Sequence, residues 1–379
     1  MSRRVFITVA EVSGDNNAAK LAAALRQVDP AMEIQGLGGP AMAAAGVKIH
    51  FETTQRAAMT LHGLARAGEV WRWLRWMKEQ YARSPPDLHV CVDSSGFNLH
   101  FAKVAKGFGV PVLYYVAPQL WASREGRIKQ VRAHVDRLAC IFPFEAQWYR
   151  DRGVNATFVG HPLFDSLPAD RLERSAAPPR FPDRPPVIGV IPGSRRSEVR
   201  ANLPPLLEVV DRLRSEWPGT RFLIPTTRAT HDEIATTLAG RSGHATVECD
   251  AFDRFVPHCD LCLTKSGTST VHVAAYAVPM IVVYRLNPIL WHAAGRWLVK
   301  TRKIAMVNIL AGQIDLVPEF VPWHGSPDAV ANCAIDLLRH PEKLADQRQK
   351  LIALMQPLAE GGASQNTARL ALEMMSVGR

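Results

Sequence analysis

Hydrophobic positions along the first half of the chain recur as short Val/Ile-rich runs, each followed by a segment of helical period. "VFITVA" precedes "NAAKLAAALRQV", "LHVCVD" precedes "NLHFAKVAKGFG", and "VPVLYYV", "LACIF" and "ATFVG" follow. Strand and helix alternating at this spacing predict a parallel, doubly wound sheet. The pattern breaks over residues 166–186, "SLPADRLERSAAPPRFPDRPP", where six prolines and weak apolar periodicity predict a linker. It then resumes with "VIGVI", a helix through "LLEVVDRLRSEW", "RFLIP", "ATVEC", "LCLTK" and "MIVVY". The expected organisation is a Rossmann-like domain over 1–165, the linker, a second Rossmann-like domain over 187–345, and closing helices over 346–379 that cross back to the first domain. Two such α/β domains form a cleft, with ligands expected beyond the carboxyl ends of their strands.

One helical segment is unusual. In "EVWRWLRWMKEQY", residues 69–81, Val70, Trp73, Leu74, Met77 and Tyr81 form one stripe. Trp71, Arg72, Arg75, Trp76 and Lys78 lie mostly around it. A stripe of this kind faces a core, and interleaved Trp and Arg also suit a helix lying at a bilayer interface. Both readings stay open.

Composition narrows the classes. The chain has 379 residues, 47% of them hydrophobic and 21% charged, as in a soluble globular protein. No stretch approaches the roughly 18 apolar residues of a spanning helix. The opening "MSRRVFITVAEVSGD" has two arginines and an apolar run, but the run stops at Glu11 and reads as a first strand rather than a signal segment. A cytoplasmic protein is expected. The net charge of +10 favours anionic partners: nucleic acid, an acidic membrane surface or phosphorylated substrates. No nucleic-acid motif is visible. His258, Cys259 and Cys262 offer a CxxC with a neighbouring imidazole, but no second pair follows at zinc spacing, so no metal is expected.

The candidate chemistry sits where strands end. In the second domain "VIGVIPGSRRSEVR" runs from a buried strand into Gly193, Ser194, Arg195 and Arg196. "LCLTKSGTSTVHVAAYAVPM" runs from a strand through Lys265, Ser266 and Gly267 into a helix from about Thr268, with His272 one turn on. Free amides at a helix start, the helix dipole and an attached cation suit a phosphate. Two such loops point to a nucleoside diphosphate. In the first domain "AEVSGD" and "CVDSSGFN" place Glu11, Ser13, Asp15 and Asp93 at strand ends. Asp15 has an alternative as a helix cap and Asp93 as a turn residue. Glu11, directly after a buried strand, needs a partner or a role.

These blocks, taken in order, resemble the lipid-A-disaccharide synthase family over nearly the whole chain. They are "EVSGD", "GLGGPAM", "DSSGFN", "YYVAPQLWA", "FPFE", "VGHP", "IPGSR" with Glu198, "SGT", "PMIVVYR" and "NILAG". The resemblance implies the GT-B architecture, two Rossmann-like parallel-sheet domains, and an inverting transfer that needs no metal or other cofactor. The donor would be UDP-2,3-diacylglucosamine and the acceptor 2,3-diacylglucosamine 1-phosphate, at the inner membrane surface; a homodimer stays open. Carried over, Gly193, Ser194, Arg195, Lys265, Ser266, Gly267, Thr268, His272 and Asn308 would bind the nucleotide. Ser13, Asp15 and Asn98 would meet the acceptor, and Glu11, Asp93 or His62 would supply catalytic acid–base chemistry.

The chain departs from the family pattern at several of these places. Gly96 stands where the family has an acidic residue before Phe-Asn, His272 where it has a glutamate, Lys265 where it has a small residue. Ala10, Ser123 and the loop "MTLHGLA" also differ. Another UDP-sugar enzyme on the same fold, or a homologue that binds without turnover, are the alternatives these changes raise.

Overall fold

The computed structural model describes residues 2–54, 63–176, 181–239, 245–285, 301–360 and 362–377. The chain divides into two compact units, Met1–Asp165 with Leu358–Arg379, and Ser166–Pro357.

The first unit is built on seven parallel strands: β1 (Arg4–Thr8), β2 (Glu33–Gly38), β3 (Lys48–Glu52), β4 (Leu88–Val92), β5 (Val112–Tyr115), β6 (Arg137–Cys140) and β7 (Ala156–Phe158). Their spatial order is β3-β2-β1-β4-β5-β6-β7. Chain direction across the sheet reverses between β1 and β4, so the loops leaving those two strands flank the topological switch point. β4 is buried along its whole length, as its unbroken apolar run requires of a central parallel strand. Helices α1 (Val12–Val28), α2 (Pro40–Ala44), α3 (Gly63–Arg83) and α4 (Ser95–Gly107) return the chain between the first strands. The apolar stripe of α3 goes to the core: Trp73, Met77 and Tyr81 are buried, with Val70, Leu74 and Trp76 packed at the edge of the same cluster. Trp76, outside the stripe in the sequence pattern, lies against His50 and Phe51. Trp71 alone of the three tryptophans stays out, 64% exposed.

The second unit has six parallel strands, β8 (Val187–Ile191), β9 (Arg221–Thr226), β10 (Ala245–Cys249), β11 (Leu261–Lys265), β12 (Met280–Val283) and β13 (Glu319–Phe320). Their order is β10-β9-β8-β11-β12-β13, which sets the switch point between β8 and β11. The proline-rich stretch carries a short helix, Arg171–Ala176, packed on the turn Val256–His258. Cys259 and Cys262 are buried, and their sulfurs close over Gly189 of β8. A Cβ there would meet the Cys262 sulfur at 2.6 Å and the Cys259 sulfur at 3.1 Å. The CxxC is thus a packing contact, and no cluster of three or more metal-ligating side chains occurs among the described residues.

Candidate active site

In the first unit the two switch-point loops bring Glu11, Ser13 and Asp93 together. β4 ends in a turn whose residues Asp93 (φ 55°) and Ser94 (φ 42°) both occupy the left-handed region. Non-glycine residues pay of order 1 kcal/mol or more each for this, so the surroundings must hold the turn. They do so from below. Asn98 Nδ2 donates to the Val92 and Asp93 carbonyls, both at 2.8 Å, and the Tyr114 hydroxyl donates to the Asp93 carbonyl at 2.5 Å. Asn98 Oδ1 in turn accepts from the Thr8 hydroxyl at 2.7 Å. Thr8 meets His89 Nε2 at 3.2 Å, and Tyr81 meets His89 Nδ1 at 2.8 Å. Burial depresses His89 to about 3, so this relay carries a neutral imidazole.

The Asp93 carboxylate accepts from the Ser94 amide at 2.6 Å. Burial pushes its pKa up, the Ser94 amide and Ser13 hydroxyl pull the other way, and the neighbouring charge of Glu11 adds to the rise. A carboxylate made more basic, next to solvent-facing groups, is suited to accept a proton.

The other residues singled out in this unit lie differently. Asp15 is 2% exposed and its carboxylate accepts the amides of Gly39 (2.8 Å), Ala41 (2.9 Å) and Met42 (3.2 Å). It therefore caps α2 rather than its own helix, and has no oxygen turned outward to an acceptor. Asn98 is fully buried and its amide is spent on the turn just described. Asp15 and Asn98 thus hold the two loops in shape through these internal hydrogen bonds. Glu11 is exposed at the start of α1 and water can solvate it, so the argument that its position demands a partner falls away. His62 lies outside the described residues.

In the second unit the loops after β8 and β11 flank the switch point, and one carboxylate ties them together. Glu198, in the first turn of the helix Arg196–Glu216, accepts from the Ser194 amide (3.1 Å), the Arg195 amide (3.4 Å) and Arg195 Nη1 (3.3 Å). Its other partner is Lys265 Nζ at 3.0 Å. Burial alone would raise its pKa, but the hydrogen bond and charge of Lys265, the Ser194 amide and Arg195 outweigh it, and the net shift is downward. Gly193 (φ 139°) is needed here, since a Cβ would come within 2.6 Å of the Glu198 Cβ. The Ser194 and Arg195 amides are therefore already occupied, and Lys265 is not a free cation. The Arg195 side chain, although bonded to Glu198, is 71% exposed.

The helix Thr268–Ala275 starts from Gly267 (φ 152°). Ser266 donates its amide to the Val283 carbonyl and its hydroxyl to the Ile304 carbonyl. The amides of Gly267, Thr268 and Ser269 have no partner among the described residues. Three free N–H groups at a helix start beside Lys265 have the chemistry that suits an anion. One turn along, His272 Nε2 meets Asp253 at 2.6 Å and its ring stacks on Phe252 at 4.1 Å between centroids. Tyr276 donates to the same Asp253 oxygen at 3.0 Å. Asp253, nineteen positions upstream of His272, carried no sequence signal of this role. Asn308, by contrast, is wholly buried: its amide bonds Val317 and Glu319. Through these bonds it shapes the loop before β13.

Two parallel-sheet units of this kind, each with its polar loops at the switch point, define the GT-B class of nucleotide-sugar enzymes. Solved structures agree on the fold. A putative UDP-N-acetylglucosamine 2-epimerase from Listeria monocytogenes superposes with a TM-score of 0.65 at 12% identity, covering 100% of this chain and 98% of that one. A ugt transferase from Siraitia grosvenorii in complex with UDP gives 0.63 at 14% identity, covering 99% and 100%. The family model described as lipid-A-disaccharide synthetase matches residues 5–374, and the chain belongs to that family. The lipid-A-disaccharide synthase of Geobacter metallireducens is 36% identical over 99% of this chain and 98% of its own. That of Nitrosococcus oceani is 35% identical over 98% and 96%.

Proposed function

We propose that the chain is an inverting glycosyltransferase of lipid A biosynthesis, moving 2,3-diacylglucosamine from UDP to the 6-hydroxyl of 2,3-diacylglucosamine 1-phosphate. The observation that carries the reading is the open helix start at Gly267–Ser269 in a chain of this family. It takes the diphosphate of the donor, with Ser266, Gly267 and Thr268 around it. Lys265, held by Glu198, supplies a fixed positive charge. Arg195, with Gly193 and Ser194 shaping its loop, swings to meet the phosphate oxygens, and His272 on the next turn faces the nucleoside. As the C1–O bond to UDP breaks, the electron pair leaves on the diphosphate, where preorganised donors stabilise it. Asp93 accepts the proton of the acceptor hydroxyl as its oxygen attacks C1 from the opposite face, with Ser13 and Glu11 beside it. The first unit thus handles the acceptor and the second the donor, without a cofactor.

The acyl chains of both substrates place the work at a membrane. No helix among the described residues is long and apolar enough to cross one. The exposed face of α3 offers peripheral attachment instead: Trp71, with the Arg75 guanidinium 5.9 Å from its ring centre, and Arg72 and Lys78 exposed beside them. Replacing Trp71, Arg72 and Arg75 together by Ala, Glu and Glu should reduce binding to anionic vesicles at low salt. Unchanged partition would assign α3 to the core alone.

Incubation of the pure protein with UDP-2,3-diacylglucosamine, with and without the acylated monosaccharide phosphate, tests the reaction. Acceptor-dependent UDP release and a disaccharide by mass are expected. Tight UDP binding without product, under conditions where a relative turns over, would replace this reading by a non-catalytic one.

A further inference from the structure

The hydrogen bonds beneath the Asp93 turn run in one direction, and their upper end dictates it. The Val92 and Asp93 carbonyls can only accept, so Asn98 turns its amide nitrogen to them and its Oδ1 away. Oδ1 then needs a donor, and the Thr8 hydroxyl at 2.7 Å supplies its single proton. The Cys91 sulfur, 3.9 Å from that hydroxyl, is the weaker acceptor and gives its own proton to the Asn98 carbonyl. With its proton spent, Thr8 faces His89 Nε2 at 3.2 Å as an acceptor, so Nε2 carries the hydrogen. A neutral imidazole with Nε2–H has a bare Nδ1, and the Tyr81 hydroxyl donates to it at 2.8 Å. Burial keeps the imidazole unprotonated and the phenol protonated, as this order of bonds requires. All four side chains are buried, and they come from α3, β4, β1 and α4. Reversing one bond sets two donors or two acceptors face to face, so the four turn together or not at all.

We infer that Tyr81, His89 and Thr8 are positioning residues of the transfer: through a single tautomer of His89 they hold the Asn98 amide toward the turn and so fix the Asp93 carboxylate. The inference rests on the proposed role of Asp93 as base and adds three residues that touch no substrate. Asp93 and Ser94 both sit in the left-handed region, so their turn persists only while its surroundings hold it. Two donors do so at the Asp93 carbonyl, Asn98 Nδ2 and the Tyr114 hydroxyl. In the other tautomer of His89, a bare Nε2 competes with Asn98 for the Thr8 proton. Asn98 is then free to flip, its oxygen faces the two carbonyls, and the turn loses one of its supports. The Asp93 carboxylate, seated against Ser13 and Glu11, relaxes toward water and away from the place where it meets the acceptor hydroxyl. Tyr81 prevents this by keeping a proton donor against Nδ1.

Nitrogen NMR of the full chain, labelled at its imidazoles, reads the tautomer directly, with His89→Gln identifying the signal. The wild type should show a protonated Nε2 and a bare Nδ1 throughout the range in which an ordinary histidine titrates. Thr8→Val keeps the volume and removes the hydroxyl. It should lower kcat about ten- to a hundred-fold, the loss expected of a displaced reacting group, with both KM values and UDP affinity unchanged. Carbon NMR titration of the Asp93 carboxyl should show its pKa falling toward the ordinary carboxylate range in Thr8→Val, as the loosened turn admits water. Thr8→Ser, which returns the hydroxyl, should restore both kcat and the Asp93 titration. Tyr81→Phe should yield both His89 tautomers and a smaller fall of the same kind, which keeps the test available if Thr8→Val folds poorly. A wild-type His89 protonated on Nδ1, or an Asp93 titration identical in the wild type, Thr8→Val and Tyr81→Phe, overturns the inference. A Thr8-dependent Asp93 titration in a chain without turnover would instead strike only the proposed reaction.

Discussion

Two carboxyl groups in the first unit are both pushed up by burial, and only one of them is placed for chemistry. Asp93 sits at the switch point on a turn held by Asn98 and Tyr114. Asp93→Asn should lower kcat by about 10² to 10⁴, the usual loss for a general base, with UDP affinity unchanged. Its raised pKa places the acidic limb of the wild-type kcat/KM profile above the ordinary carboxylate range, and an unaltered limb in Asp93→Asn would remove it as the base. Asn98→Ala should lower kcat through the same turn and cost roughly 1–3 kcal/mol of stability, since buried carbonyls lose their donors. Glu145 is the contrasting case. It is fully buried between the Trp121 indole and the Phe142 and Ile141 amides, and burial raises it to about 8 against those bonds. Its folded pKa exceeds its unfolded one. Its stabilising contribution is present below about 4.5 and is lost as pH rises to about 8, a slope of up to about 1.4 kcal/mol per unit. Denaturant titrations between pH 5 and 9 should show that slope in the first unit's transition and its disappearance in Glu145→Gln.

At the scale of elements, the sequence showed where strands stop and polar loops begin, because a run of Val and Ile ending at Gly, Ser or Asp has one simple reading in a parallel sheet. Both switch points were legible that way. Which polar side chain turns outward was not. Asp15, Asn98 and Asn308 look in sequence like any other polar residue in the first turns of a helix. Their fate depends on partners 24 residues away for Gly39, 90 for Thr8 and 9 for Val317. The Glu198 link between the two anion loops has the same character. Its partner Lys265 follows 67 positions later, and the pair joins the start of the helix Arg196–Glu216 to the end of β11. Glu198→Ala frees the Ser194 and Arg195 amides and strands Lys265 with the face of Tyr284, whose ring centre lies 4.6 Å from its Nζ. We expect a loss of about 1–3 kcal/mol in the second unit and UDP affinity weakened at least ten-fold, because both loops lose their common tether. Equal UDP affinity with the stability loss alone would make Glu198 a scaffold and not part of the seat.

At the scale of the whole molecule, the last segment decides how independent the two units are. Residues 358–379 belong to the first unit although they follow the second in sequence. Asp165, the last residue of the first stretch, caps the helix Ala363–Val377: its carboxylate accepts the Ala363 amide at 2.8 Å, the Ser364 amide at 2.9 Å and the Ser364 hydroxyl at 2.6 Å. Asn366 donates to the Val159 carbonyl at 3.0 Å, and the helix lies along α1. Nothing local in the sequence names Asp165 as the partner of a serine 199 positions on. A chain ending at Pro357 exposes the apolar face of α1 and leaves the Asp165 carboxylate without its donors, while every bond around the Lys265–Glu198 seat stays intact. Its first unit should therefore melt earlier than in the full chain and its second unit at the same temperature. A ligand that binds only one folded unit raises only that unit's transition, by about 2.7 kcal/mol at a hundred times its Kd. UDP should accordingly shift the second transition equally in both proteins and leave the first where it was. Turnover should vanish in the truncated chain with UDP affinity preserved. A single transition that moves as one under UDP, or loss of UDP binding on truncation, would show that the donor seat depends on the first unit and is not built by the second unit alone.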